Sequence, residues 1–264
     1  MILSMVTYNK WEVSKLSIVF KKTTGLTDKP FSYCPGCTHG IIHRLVAEVL
    51  EELNILDRTI TIASVGCSVF AYDYFNTDAL QAPHGRAPAV ATGVKRMHPE
   101  KIVFTYQGDG DLASIGAAEI IHAANRNENI TVIFVNNAIY GMTGGQMAPT
   151  TLPNQVTTTT PLGREIITGA PIKMSEMIAT MDHIAYVERC MAADGPSIMK
   201  TKRAIRKAFE CQINQEGFSM VEVLSSCNIG WKMSPVDSLS YIKNTMTQTF
   251  RLGVFKERKH ETNH

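Results

Sequence analysis

The chain has 264 residues, 44% hydrophobic and 19% charged, enough apolar surface to build a core and too much for a disordered chain. Lys and Arg number 26 against 24 Asp and Glu, and a net charge of +2 excludes a strongly basic nucleic-acid scaffold. No run approaches the ~18 apolar residues of a membrane span, and the charges at Lys10, Glu12 and Lys15 spoil a secretory signal, so the expected compartment is the cytoplasm.

In chain order, the pattern predicts helix over 39–53, strand over 59–65, helix over 87–97, strand over 102–106 and helix over 112–125. Strand follows over 130–135, helix over 174–181, strand over 183–187, helix over 197–213 and strand over 218–224. Residues 147–161, rich in proline and threonine, read as a long loop. Residues 1–25 read as an N-terminal extension, 26–235 as one cofactor-binding domain, and 236–264 as a helix and a basic, solvated tail. This alternation implies an α/β fold, a mostly parallel sheet with helices on both faces, and ligands at the carboxyl ends of the strands.

The strand over 102–106 runs into Gly108-Asp109-Gly110-Asp111, where glycines let the backbone approach a ligand and a helix start follows. Asp109 can hold a hard cation such as Mg²⁺, which shares oxygen ligands with phosphates. The next strand ends in Asn136-Asn137-Ala138-Ile139, so Asn137 and the Ile139 carbonyl emerge on the same edge. Gly-Asp-Gly alone is a common turn; the Asn pair one crossover later makes a metal–diphosphate site the better reading.

The six cysteines, in a reducing compartment, need a use other than disulfides. Cys34 and Cys37 form a C-x-x-C ahead of a helix, while Cys67 and Cys227 follow predicted strands toward the same sheet edge. Four thiolates converging there would suit an iron–sulfur cluster, although each strand-end thiol also reads as a buried core residue. Cys190 ends a strand as well and is not excluded by position; Cys211 reads as core. His84, ahead of a helix, either bonds a cofactor oxygen or caps that helix, and Arg86 contacts a partner or a ligand. His39, His43 and His122 read as surface or interface residues.

Gly-Asp-Gly followed by Asn-Asn resembles the thiamine diphosphate motif. The longer strings GDGDLASIGAAE and NNAIYGMTGGQ resemble the β-subunits of 2-oxoacid:ferredoxin oxidoreductases, and the resemblance spans about residues 34–235. It implies the diphosphate-type thiamine fold, with Asp109, Asn137 and the Ile139 carbonyl as Mg²⁺ ligands. Gly110, Asp111, Gly141 and Met142 would lie against the diphosphate, with Gly66, Cys67, Ser68, His84 and Gly108 also facing the cofactor. Cys34, Cys37, Cys67 and Cys227 would ligate one [4Fe–4S] cluster. The family commonly reads CPGCGH, whereas here Thr38 stands at the fifth position and is expected to cap the helix that follows.

The implied reaction joins a 2-oxoacid and coenzyme A to give acyl-CoA and CO₂, passing two electrons to ferredoxin. The family carries its pyrimidine-facing glutamate on an α-subunit, with γ and ferredoxin-like δ subunits as further expected partners, and neither nucleic acid nor membrane. A chain of this length leaves little room for a pyrimidine domain and reads as half of an active site. Residues 140–162 contain no Asp, Glu, Lys or Arg. If this loop borders the substrate, as in the family, it favours an apolar 2-oxoacid such as 2-oxoisovalerate over 2-oxoglutarate. The alternative is half of a non-oxidative thiamine enzyme, which has no use for the cysteine set.

Overall fold

A computed structural model describes residues 21–258, so most of the expected N-terminal extension and the end of the expected tail lie outside the described residues. The elements are α1 (His39–Glu52), β1 (Thr59–Ala63), α2 (Ala71–Tyr74), β2 (Asp78–Gln81), α3 (Ala87–Met97), β3 (Ile102–Gly108), α4 (Ala117–Asn125) and β4 (Thr131–Asn136). Then come α5 (Met174–Ala179), β5 (Tyr186–Met191), α6 (Gly195–Ile213), β6 (Ser219–Leu224), α7 (Pro235–Tyr241) and β7 (Gly253–Glu257). They build one seven-stranded sheet in the order β2-β1-β3-β4-β6-β5-β7, parallel throughout except for β7, which runs antiparallel to β5.

Burial on both faces explains the nearly continuous apolar character of β3, β4 and β6, which suits parallel strands covered by crossover helices. On one face, Ile42, Val46, Val49 and Leu50 of α1 join Ile205 and Phe209 of α6 over Ile133, Val135, Val221 and Val223. On the other, Ala87 and Ala91 of α3, Ile120 of α4 and Ile178 of α5 cover Val103, Val132, Phe134 and Met220. A smaller cluster of Ala138, Ile139, Leu152, Trp231 and Phe250 closes over the carboxyl edge. α6 starts sharply: Asp194 accepts from the Ser197 N–H, Ser197 returns the bond to the Asp194 N–H, and a proline sits in the first turn.

Four sequence expectations shift. The strand expected over 183–187 is Tyr186–Met191, placing Cys190 inside it, and the helix expected over 112–125 is interrupted at Gly116, after a π-helical turn over Asp111–Ile115. β2 went unpredicted because its exposed Asp-Ala-Leu-Gln sequence lacks a buried pattern. The residues read as a solvated basic tail include β7, whose Phe255 packs under the Arg189 guanidinium, 4.9 Å from its centroid.

Candidate functional site

The strand order reverses beside β1: the chain moves outward to β2 and then back across to β3 on the other side. The carboxyl ends at such a switch point splay apart and leave a crevice. Loops after β1, β2, β3, β4 and β6 meet there, and they carry most of the residues singled out from sequence.

Asp109 follows β3 and is 2% exposed. Burial pushes its carboxyl up to about 7, against the opposing effect of bonds from Thr150 Oγ1 at 2.5 Å and the Gly110 N–H at 3.0 Å. Asn137, 6% exposed, has its main-chain carbonyl taken by Trp231 Nε1 at 3.0 Å, while its buried side-chain Oδ1 has no hydrogen-bond partner. A buried carboxylate in need of countercharge and an orphaned amide oxygen on adjacent strands form a donor set that fits a hard divalent cation. The turn that follows Asn137 is strained: Ala138 has φ +58°. Thr150 was missed from sequence, where nothing distinguished its hydroxyl from its neighbours in the threonine-rich loop.

Asp111, expected against a diphosphate, lines the same cavity as Asp109, but its carboxylate is engaged by four protein donors. Its carboxylate accepts from Ser64 Oγ and Gln107 Nε2, both at 2.6 Å, from the Gly85 N–H at 2.7 Å, and from His84 Nδ1. It is a protein-facing hub tying the β1, β2 and β3 ends together. That bond fixes His84 as an Nδ1 donor and leaves Nε2 as its second, independent group at the cavity wall. Of the residues expected to face a cofactor, Gly66, Cys67, His84, Gly108, Gly110, Gly141 and Met142 line one cavity of about 140 Å³ with Asp109, Asp111, Asn137 and Ile139. Ser68 does not: it is buried, and its Oγ turns back to the Ser64 carbonyl.

Cys34, Cys37, Cys67 and Cys227 line a second cavity of about 240 Å³. Cys190 and Cys211 are buried elsewhere, 4% and 1% exposed. The C-x-x-C loop is fastened to the loop holding Cys227: Ser226 Oγ donates to the Gly36 carbonyl at 2.9 Å, and Asn228 Nδ2 to the Pro35 carbonyl at 3.0 Å. Thr38 makes no helix cap; its Oγ1 meets Ser225 Oγ at 2.7 Å and accepts the Ser226 N–H at 3.0 Å, joining the same two loops. Burial raises the Cys37 and Cys227 thiols to about 11 and 12, so they are protonated until something cationic binds. Among the described residues, no three His, Cys, Asp or Glu side chains gather closely enough for a single metal ion. Four cysteines on the wall of one cavity are the donor set that an all-cysteine iron–sulfur group takes.

The two cavities share His39, Cys67, Asn137, Gly141 and Met142 as walls. His39 and His43, expected at a surface or interface, are instead 2% and 0% exposed. His39 stacks on Tyr33 at 4.8 Å and meets the Tyr106 hydroxyl at 2.8 Å through Nδ1, while His43 meets the Tyr33 hydroxyl at 2.7 Å. Desolvation lowers His39 to about 4 and holds His43 well below the ordinary imidazole range, so both are neutral near pH 7. Their period on α1 was legible, but which side faced the core was not.

Residues 64–223 match the family described as the thiamine pyrophosphate enzyme, C-terminal TPP binding domain. The ketoisovalerate oxidoreductase subunit VorA of Methanothermobacter marburgensis is 46% identical over 245 residues, 92% of this chain and 51% of the relative, so the chain spans about half the length of such relatives. The 2-oxoglutarate synthase subunit KorB of Methanocaldococcus jannaschii is 38% identical, covering 81% of this chain and 77% of the relative. A solved 2-oxoglutarate:ferredoxin oxidoreductase from Magnetococcus marinus, with 2-oxoglutarate, coenzyme A and succinyl-CoA bound, superposes with a TM-score of 0.74 at 26% identity. It covers 89% of this chain and 84% of that one.

Proposed function

Given that the chain belongs to the 2-oxoacid:ferredoxin oxidoreductase subunits bearing the thiamine pyrophosphate-binding domain, we propose that it is the β-subunit of a cytoplasmic enzyme converting a 2-oxoacid and coenzyme A to acyl-CoA and CO₂. The two electrons released would leave through a [4Fe–4S] cluster to ferredoxin. One observation carries the reading: a Cβ placed on Gly141 would lie 3.1 Å from Cys227 Sγ, 3.7 Å from Cys67 Sγ and 3.8 Å from Asn137 Nδ2. Gly141 thus stands against two of the thiols and Asn137 at once, in the wall the two cavities share, and a non-oxidative thiamine enzyme has no use for that adjacency.

In this reading Asp109, Asn137 Oδ1 and the Ile139 carbonyl hold Mg²⁺, and the turns at Gly110, Gly141 and Met142 seat the diphosphate. Cys34, Cys37, Cys67 and Cys227 hold the cluster. Bound thiamine diphosphate supplies the electron sink that decarboxylation of a 2-oxoacid requires. Asp111 fixes the His84 ring through Nδ1 at the wall of the cofactor cavity, and Tyr33, Phe70 and Ile229 add apolar wall to the thiol cavity. A general base on the pyrimidine side comes from a partner α-subunit, with γ and δ subunits completing the complex.

The substrate proposal is an apolar 2-oxoacid, 2-oxoisovalerate before 2-oxoglutarate. The uncharged loop over residues 140–162 ends at Arg164, which is 4% exposed and spends its guanidinium on the carbonyls of Pro149, Thr151, Thr168 and Ala170. The cation nearest that loop is therefore committed to folding it and is not free for a second substrate carboxylate.

The test is anaerobic assembly with the partner subunit, followed by iron and sulfide analysis, Mg²⁺-dependent thiamine diphosphate calorimetry, and acyl-CoA product analysis. The expected result is about one four-iron cluster per chain and faster isobutyryl-CoA than succinyl-CoA formation. Thiamine binding without iron would favour the non-oxidative alternative. Turnover by the isolated chain would overturn the partner requirement.

A further inference from the structure

A buried ionic chain on the α5 side of the sheet has no role in the reading above. Arg189 of β5 is 0% exposed, pairs in register with Glu222 of β6, and sets its Nε 2.8 Å from Glu222 Oε2. Its other nitrogens donate to Glu176 of α5 at 2.9 and 2.5 Å, and Phe250 and Phe255 cover its guanidinium. Glu222, also 0% exposed, accepts from Ser175 Oγ at 2.5 Å through Oε2 and from Asn136 Nδ2 at 2.8 Å through Oε1. The other end of the Asn136 amide, Oδ1, accepts the Ala138 N–H at 3.0 Å.

Buried charges are costly, and a core of this size gains little from an ion pair that apolar residues could replace. What this one does have is a direction. It runs from α5 through three strands, β5, β6 and β4, and ends on the amide of Ala138, the left-handed residue between Asn137 and Ile139. A non-glycine residue held at positive φ is strained and persists only where its surroundings determine it. The Ala138 carbonyl is held from the opposite side by Thr151 Oγ1 at 2.7 Å and Gln155 Nε2 at 3.3 Å.

The geometry points to Glu222, backed by Arg189, as a positioning residue: it fixes which way the Asn136 amide faces, and thereby holds the Asn137–Ile139 turn in the shape that presents both oxygens to the cation. This rests on the cation site proposed above. Glu222 touches neither metal nor cofactor and acts only through Asn136.

The polarity of this bond can be reversed. Asn136→Asp sets two carboxylate oxygens 2.8 Å apart, although it keeps an acceptor for the Ala138 N–H. Glu222→Gln has too few acceptors: if its oxygen faces Asn136, its amide opposes Arg189, and if it faces Arg189, the Asn136 amide must turn away from Ala138. The double variant restores one donor, one acceptor and a single negative charge between the two positions.

The assembled complex at pH 8 is assayed by Mg²⁺ titration of thiamine diphosphate binding, with hydrogen exchange at the Ala138 amide measured in the cofactor-free protein. Each single variant should weaken the apparent Mg²⁺ affinity by about 10- to 100-fold, the usual loss when a group orienting a metal ligand is removed. The Ala138 amide should lose protection while the β4 and β6 amides keep theirs, and the double variant should recover both. If Asn136→Asp does not fold, the comparison of Glu222→Gln with the double variant still decides. Recovery of melting temperature without recovery of affinity, or singles that bind like the parent, would overturn the proposal. A parent complex that binds no thiamine diphosphate would sink the proposed function, while exchange at Ala138 would still judge the brace.

Discussion

Asp111 offers the sharpest quantitative test of how the carboxyl edge is assembled. Its two oxygens each take two donors: Oδ1 takes the Gly85 N–H and His84 Nδ1, and Oδ2 takes Ser64 Oγ and Gln107 Nε2. The Oδ2 pair can adapt to an amide, because a serine hydroxyl rotates and the Gln107 amide can flip; its own Oε1 has no partner at present. The Gly85 N–H cannot adapt. Its loop has φ +75° and packs so closely that a Cβ would lie 2.7 Å from the Gly116 nitrogen. Asp111→Asn should therefore keep its oxygen toward Gly85, reorganise the other side, and lose mainly the charge assistance. A charged hydrogen bond is worth about 1.5–3 kcal/mol, so a net loss of about 2 kcal/mol should lower the melting temperature by about 4–8 °C in a domain of this size. Asp111→Ala leaves the Gly85 N–H and its companions unpartnered and should cost about twice that. Calorimetric melts of the two variants beside the parent provide the measurement. An Asn variant as damaging as the Ala variant would refute the acceptor accounting, and two parent-like melts would refute the hub altogether.

Gly141→Ala places its methyl 3.1 Å from Cys227 Sγ and should reduce iron and sulfide content of the anaerobic complex; unchanged iron loading would argue against the shared wall. Gly110→Ala drives a Cβ to 2.2 Å from Tyr140 Cε1, an overpacking that should cost about 1–3 kcal/mol. Adding Tyr140→Ala should recover that loss in a thermal melt. Lys243 and the Ser197 cap hold Asp194 down to about 2 from 3.8. Its contribution is thus present above pH 3.8 and lost as pH falls through about 2. Asp194→Ala should destabilise at pH 7, and the gap to the parent in urea should narrow below pH 4; a gap constant across that window would contradict the cap assignment.

Periodicity carried the helices on both faces and the central strands, because those segments are buried on a consistent side and their apolar spacing records it. It failed where burial leaves no pattern. β2 is an exposed edge, and β7 is recruited by Arg189 and its aromatic cover, contacts that no local window contains. The candidate site was legible as a set of strand ends, since Asp109, Asn137, Cys67 and Cys227 each follow an apolar run. Thr38 reads as a cap because it precedes a helix, yet its hydroxyl is drawn to Ser225 and Ser226, nearly 190 positions away in sequence. His39 and His43 show the same limit: helical spacing places them on one stripe, while only the packing of Tyr33, Tyr74 and Tyr106 makes that stripe the buried one.

The motif's own doublets pose a question that residue type cannot answer. Asp109 and Asp111 are chemically identical, as are Asn136 and Asn137, and the members of each pair lie within two residues of each other where a strand ends. Hydrogen-bond accounting separates them. Asp111 takes four protein donors, and Asn136 is satisfied at both ends of its amide, by Glu222 and by Ala138. Asp109 is left with its carboxyl pushed up by burial, and Asn137 with an oxygen that nothing bonds. Asp111 and Asn136 bind loops to sheet, while Asp109, with a single hydrogen-bonded donor on each oxygen drawn from Thr150 and Gly110, and Asn137, with a bare Oδ1, keep acceptor capacity at the cavity wall. A ligand site that must wait for its cation needs such neighbours: without them the orphaned Asn137 amide would turn to the nearest backbone donor, and the cation would have to reopen the turn at the cost of the bond so formed.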